Sequence, residues 1–153
     1  MAATHDTTRP ILVVEDNPDD EALTLRALRA HGVSNEIFVA RDGAEALDFL
    51  LCKGAHAGRK GAPLPLVVLL DLRLPKVDGR QVLQRIREDE RTRCLPVVVL
   101  TSSDEERDII ESYQLGANSF VRKPVQFAEF IDSVRQLGLY WMLINQSPAR
   151  STP

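Results

Sequence analysis

Cysteine is scarce in this chain of 153 residues: Cys52 and Cys94 are the only two, and they show no Cys-x-x-Cys spacing. That speaks against a disulfide framework and against a thiolate zinc site, and reads as two reduced thiols. Long apolar runs are absent as well. None approaches the ~18 residues of a membrane span, and Met1 to Arg9 is polar, without the apolar stretch of a signal peptide. Neither membrane insertion nor export is expected, and the expected compartment is the cytoplasm. Excess basic charge is missing: 19 Lys and Arg stand against 22 Asp and Glu, a net charge of −3. A nucleic-acid partner, which needs a clustered basic surface, is not expected. The histidines, His5, His31 and His56, are scattered without metal-ligand spacing or a carboxylate partner and read as surface residues. Gly-x-Gly-x-x-Gly and Walker sequences are missing after the first strand-like run. Glu15-Asp16-Asn17-Pro18 stands there instead and would repel a phosphate, which disfavours a nucleotide- or flavin-binding domain.

What the chain does have is short, continuous apolar runs that stop at polar residues. Ile11-Leu12-Val13-Val14 stops at Glu15-Asp16, Leu66–Leu70 at Asp71, Val97–Leu100 at Thr101-Ser102-Ser103, and Ser119-Phe120-Val121 at Arg122-Lys123. Runs of this kind suit strands buried on both faces, as in parallel sheets. With Glu36–Ala40 they alternate with amphipathic segments. Asp19 to about His31 places Ala22, Leu25, Leu28 and Ala30 at near-helical spacing, with Gly32 as a stop. Asp42-Gly43-Ala44-Glu45 resembles a capping box ahead of Ala46, Leu47, Leu50 and Leu51. Val82, Leu83 and Ile86 mark the next helix, Ile109, Ile110, Tyr113 and Leu115 another from about Asp104. Phe127, Phe130, Ile131, Val134 and Leu137 mark the last, from near Gln126.

Hydrophobic residues at 44% and charged ones at 27% suit one soluble domain. Its expected span is residues 10–145, between loose tails at 1–9 and 146–153. Alternating strands and helices predict an α/β three-layer sandwich of the flavodoxin-like (βα)5 kind, with a parallel sheet in the order 2-1-3-4-5. Its switch point falls between strands 1 and 3, which end in Glu15-Asp16 and Asp71.

Three carboxylates beside the one ammonium of Lys123 leave about two negative charges uncompensated, a deficit that a divalent cation repairs. Hard oxygen ligands and open water positions favour Mg²⁺, with Asp16 and Asp71 as direct ligands and Glu15 acting through water. A carboxylate can attack a phosphoryl group when the phosphoryl oxygens are neutralised. Mg²⁺ and Lys123 would neutralise them, and the Thr101 hydroxyl would donate a hydrogen bond.

These pieces resemble the receiver domain of bacterial two-component response regulators. The matching motifs are Val13-Val14-Glu15-Asp16-Asn17, Leu69-Leu70-Asp71-Leu72-Arg73-Leu74-Pro75, Asp78-Gly79, Leu100-Thr101-Ser102 and Arg122-Lys123-Pro124, in the family's order and spread over residues 10–137. The resemblance implies that Asp71 is the phosphoacceptor, Asp16 a metal ligand and Glu15 the outer acidic residue, with the backbone carbonyl of Arg73 completing the metal site. Thr101 and Lys123 correspond to the phosphoryl-contacting pair, Phe120 to the aromatic switch that moves with Thr101, and the bond between Lys123 and Pro124 to a cis peptide. It further implies a sensor histidine kinase as phosphodonor and, as output, a downstream protein or a phosphotransfer partner.

Cys52 to Pro65 is long for a helix-to-strand connection and reads as a mobile cationic loop. Within the family such an extension is similar to stand-alone receivers that work with phytochrome-type histidine kinases. Gly138-Leu139-Tyr140-Trp141-Met142-Leu143-Ile144 is apolar on nearly all sides, whereas one sheet covers only one stripe of a last helix. Tyr140, Trp141 and Leu143 are therefore expected at a homodimer interface. Two competing functions remain. A phosphatase or phosphotransferase of the haloacid-dehalogenase kind needs Asp-x-Asp, but Arg73 stands two residues after Asp71 and cannot donate a proton at neutral pH. A phosphorylation-independent scaffold would not require the full set of acids, hydroxyl and lysine.

Overall fold

The computed structural model describes residues 9–30, 33–72, 74, 76–101, 111, 113–123, 128, 129 and 132. Five short strands form its centre: β1 (Ile11–Val14), β2 (Ile37–Ala40), β3 (Val67–Asp71), β4 (Val97–Thr101) and β5 (Ser119–Arg122). All pair in parallel, in the order β2-β1-β3-β4-β5. The expected sheet order is therefore the observed one. Asp71 and Thr101, read as residues that follow their strands, are the last residues of β3 and β4.

Two apolar clusters sandwich the sheet because successive strand residues face opposite sides. Ile11, Val13, Val67, Leu69, Val98 and Leu100 point toward Leu28 of α1 (Pro18–Arg29). Leu12, Val14, Val68, Leu70, Val97 and Val99 belong to the cluster that holds α2 (Gly43–Leu51) and α3 (Gly79–Glu88). The strand residues of both clusters are essentially free of solvent. At about 25 cal/mol per Å² of apolar surface removed from water, burial on both faces is the main force that holds the five strand ends in one row.

Helix details depart from the sequence reading in instructive ways. Asn17 caps α1: its side chain accepts the backbone N–H groups of Asp19 and Asp20 at 2.9 and 3.0 Å. Thr24 and Leu28 face the core of α1, whereas Ala22 and Ala30 are exposed. In α2, Phe49 is buried and Leu51 only partly so. Asp42 does cap α2 by accepting the Glu45 N–H at 2.8 Å, but Glu45 reaches back to the N–H of Arg41. The reciprocal capping box belongs instead to Asp78 and Gln81 at α3. Tyr113 is half exposed, while Leu115 packs on the α2–α3 side.

The segment after α2, read as a cationic loop, contains regular structure. Gly54–Arg59 forms a 3-10 turn docked on α2. The Arg59 guanidinium lies 3.6 Å from the Phe49 ring centroid and donates to the Phe49 carbonyl at 2.7 Å. His56 stands edge-on to Phe38 and Phe49 with its Nε2 3.8 Å from a Glu45 carboxylate oxygen. It is thus a half-buried packing residue with an acidic neighbour, not a lone surface histidine. Both cysteines are free, Cys52 buried and Cys94 exposed. Among the described residues no helix is long and apolar enough to cross a membrane.

Candidate functional site

The register of the sheet assembles the site. Val14 pairs with Leu70, so the next residues of β1 and β3, Glu15 and Asp71, emerge side by side at the carboxyl rim. Glu15 is held there by its backbone N–H, which donates to the Ala40 carbonyl at 2.9 Å. Its side chain is fully buried and that of Asp71 is 6% exposed, whereas Asp16 faces solvent. Carboxylate oxygens of Glu15, Asp16 and Asp71 lie within 4.8 Å of one another. Thr101 pairs with Arg122, which brings the end of β4 level with Lys123.

Lys123 closes the cluster. Its Nζ donates to Glu15 Oε1 at 3.0 Å, to Asp20 Oδ2 at 2.9 Å and to Asp71 Oδ2 at 2.9 Å. The ammonium spans more than a hundred residues of sequence to do so. Burial acts to lower the Lys123 pKa, but the hydrogen bonds to Asp71, Asp20 and Glu15 together outweigh it and hold the group above its ordinary value. Glu15 moves the same way for the opposite reason. Burial raises it most, and the Lys123 hydrogen bond only partly offsets burial and the charge of Asp71, so its pKa climbs from 4.5 to about 7. One ammonium shared with Asp20 and Asp71 does not offset the burial of Glu15.

Of the residues expected at the site, Glu15, Asp16 and Asp71 bring carboxylate oxygens together at the rim, and Lys123 bonds to Glu15 and Asp71. Phe120 sits one position before Val121 in β5, half-buried against the α2–α3 cluster. The Thr101 side chain, Arg73, Pro124, and Tyr140, Trp141 and Leu143 lie outside the described residues. Asp20 is a further neighbour of Lys123 that the sequence reading does not include. By residue type it is an ordinary first-turn helix acid, and the available signal is its place in the first turn of a helix that starts at the rim.

The donor set fits a hard divalent cation: three carboxylates converge and a single ammonium leaves them in excess. Without a cation the excess should show in stability. Because folding raises the Glu15 pKa, the folded form binds more protons than the unfolded one between pH 4.5 and about 7. The contribution of Glu15 is therefore full below pH 4.5 and is lost as pH rises through about 7, a change of about 3 kcal/mol. In urea titrations with EDTA at pH 5 to 8, Glu15→Gln should flatten the pH dependence of the parent over that window. Identical slopes for parent and variant would refute the assignment.

Comparison with known proteins gives the same pocket a lineage. A family profile described as response regulator receiver domain matches residues 11–135. The probable methanogenesis regulatory protein FilR2 of Methanothrix harundinacea is 44% identical over 138 residues, 90% of this chain and 86% of the relative. The bacteriophytochrome response regulator AtBRR is 54% identical with a TM-score of 0.81, over 90% of this chain and 98% of the other. The Mn²⁺-bound form of response regulator Rcp1 is 36% identical with a TM-score of 0.71, over 88% and 94% of the two chains. The profile runs from the first strand past the lysine, through every acid of the pocket. This chain belongs to the response regulator receiver domain family, signalling proteins rather than ordinary enzymes, whose implied partner is a histidine kinase.

Proposed function

We propose that Asp71 accepts a phosphoryl group from a histidine kinase and later loses it to water. The observation that carries this reading is the Lys123 ammonium 2.9 Å from the Asp71 carboxylate, inside a pocket with more acids than counterions. In the forward step an Asp71 carboxylate oxygen attacks phosphorus, the P–N bond of the donor phosphohistidine breaks, and its electron pair returns to the imidazole. In the reverse of signalling, water attacks phosphorus, the P–O bond to Asp71 breaks, and carboxylate and inorganic phosphate are released. A small acyl phosphate can replace the kinase as donor, its carboxylate leaving in place of the imidazole.

Glu15, Asp16, Asp71 and the Arg73 carbonyl are the residues that would hold Mg²⁺, which when bound would neutralise phosphoryl oxygens in the transition state. Lys123 supplies fixed positive charge and N–H donors to the same oxygens. The Thr101 hydroxyl adds a donor, and Phe120 takes the space that Thr101 vacates, so that a local charge biases two packings of the β4–β5 edge.

AtBRR and RtBRR are described as bacteriophytochrome response regulators, and a phosphorylated relative, RcpA, as a cyanobacterial phytochrome response regulator. The 54% identity to AtBRR favours a phytochrome-type kinase as donor. Output would pass to a downstream protein or a phosphotransfer partner. The unit would span residues 10–145, and a homodimer through Tyr140, Trp141 and Leu143 rests on the apolar run at 139–144. Two free cysteines suit a cytoplasmic setting.

Incubation with acetyl phosphate, with and without Mg²⁺, tests the chemistry. Intact mass should rise by one phosphoryl group only with the metal, and borohydride reduction should convert Asp71 to homoserine. Modification at another residue, or none with Mg²⁺ present, would remove Asp71 from this role.

A further inference from the structure

The three carboxylates that hold Lys123 are not equivalent. Glu15 is fully buried and Asp71 is 6% exposed, but Asp20 is 31% exposed and sits on the solvent side of the ammonium. Glu15 and Asp71 belong to the acidic cluster that fits a cation; Asp20 does not. Its backbone is fixed in the first turn of α1, where Asn17 Oδ1 accepts the Asp20 N–H at 3.0 Å. The contact with Lys123 is therefore built into the rim.

An ammonium has three N–H donors, and these three carboxylates take them all. A phosphoryl group on Asp71 brings oxygens that need a donor from Lys123, so one existing bond must give way. Releasing Glu15 would leave a fully buried carboxyl that water cannot reach and that only a proton or a bound cation could neutralise, a costlier change than freeing a partner at the surface. Releasing Asp20 only rehydrates a carboxylate already at the surface. Asp20 is the partner that can leave.

We propose that Asp20 is a positioning residue, a solvent-side carboxylate that holds the Lys123 ammonium while Asp71 is unmodified and yields it to the phosphoryl oxygens. This rests on the reading of Asp71 as phosphoacceptor. Asp20 competes with the phosphoryl group for one N–H and repels it through charge, so it biases the protein toward its unmodified state. Population of the phosphoryl-bound state is then tuned from outside the metal cluster.

Beryllium fluoride, a non-covalent phosphoryl mimic, allows a direct test by titration calorimetry at fixed Mg²⁺. Asp20→Asn, near-isosteric and with a weaker acceptor, should bind the mimic about three- to tenfold more tightly than the parent. Asp20→Ala, which has no acceptor, should show at least as large a gain. Asp19→Asn removes the same charge from the same exposed helix turn but leaves the Lys123 bonds intact. It should stay within about twofold of the parent. Unchanged or weaker binding by both Asp20 variants would overturn the proposal. So would an equal gain in Asp19→Asn, which would reduce the effect to general charge. A parent that binds no mimic with Mg²⁺ present would instead bring down the phosphoacceptor reading, and this inference with it.

Discussion

Asp71→Asn is expected to gain no phosphoryl group from acetyl phosphate under conditions that label the parent. The amide keeps the volume and much of the hydrogen bonding of the carboxylate, but it is no nucleophile toward phosphorus and cannot form the acyl phosphate. The substitution also changes the charge of the pocket. Glu15, Asp16 and Asp20 would remain around Lys123 with one carboxylate fewer. Two further effects follow in opposite directions. Mg²⁺ affinity should drop at least about tenfold, since even the outer partners of metal ligands are worth that much. Stability in EDTA should rise by about 1 kcal/mol, because a functional pocket holds like charges at the expense of the fold. Intact mass, Mg²⁺ titration and denaturation in EDTA read the three effects separately. Labelling equal to that of the parent would exclude Asp71 as acceptor, and a loss of stability in EDTA would contradict the picture of crowded carboxylates.

Much of the fold and of the acidic rim is legible in the sequence, for a definite physical reason. Strands buried on both faces must be apolar throughout, so Ile11–Val14 and Val97–Leu100 declare both their position and the point at which they stop. Once the sheet is parallel, the polar residues just past those stops share one rim, and Glu15, Asp71 and Lys123 follow. What escaped depends on pairings that residue types do not announce. Asp20 has the look of a helix acid stabilised by the dipole, and only the reach of Lys123 gives it a second role. Arg59 and His56 carry the marks of a solvated loop, yet the face of Phe49 and the edges of two rings give them places to pack.

Gly79 was legible only as half of the motif Asp78-Gly79, and the structure supplies its reason. As the first residue of α3 it lies against the exit of β3, with its N–H donating to the Leu72 carbonyl at 3.0 Å. A Cβ there would stand 2.3 Å from the Asp71 carbonyl oxygen and 2.5 Å from Leu72 Cα. Both are backbone atoms, so no side chain can swing aside. Helix propensity alone would favour alanine over glycine in a helix by up to about 1 kcal/mol. Overlap with fixed backbone should reverse the sign, and Gly79→Ala should lose about 3 kcal/mol. For a chain of this size that lowers the melting temperature by about 10 °C. The displaced backbone is that of Asp71 and Leu72, so the labelling rate with acetyl phosphate should fall as well, even well below the melting transition. Thermal denaturation with labelling at low temperature checks both. A Gly79→Ala protein as stable as its parent would mean that α3 can draw back from β3 freely, and the close packing would then have no part in fixing the acceptor.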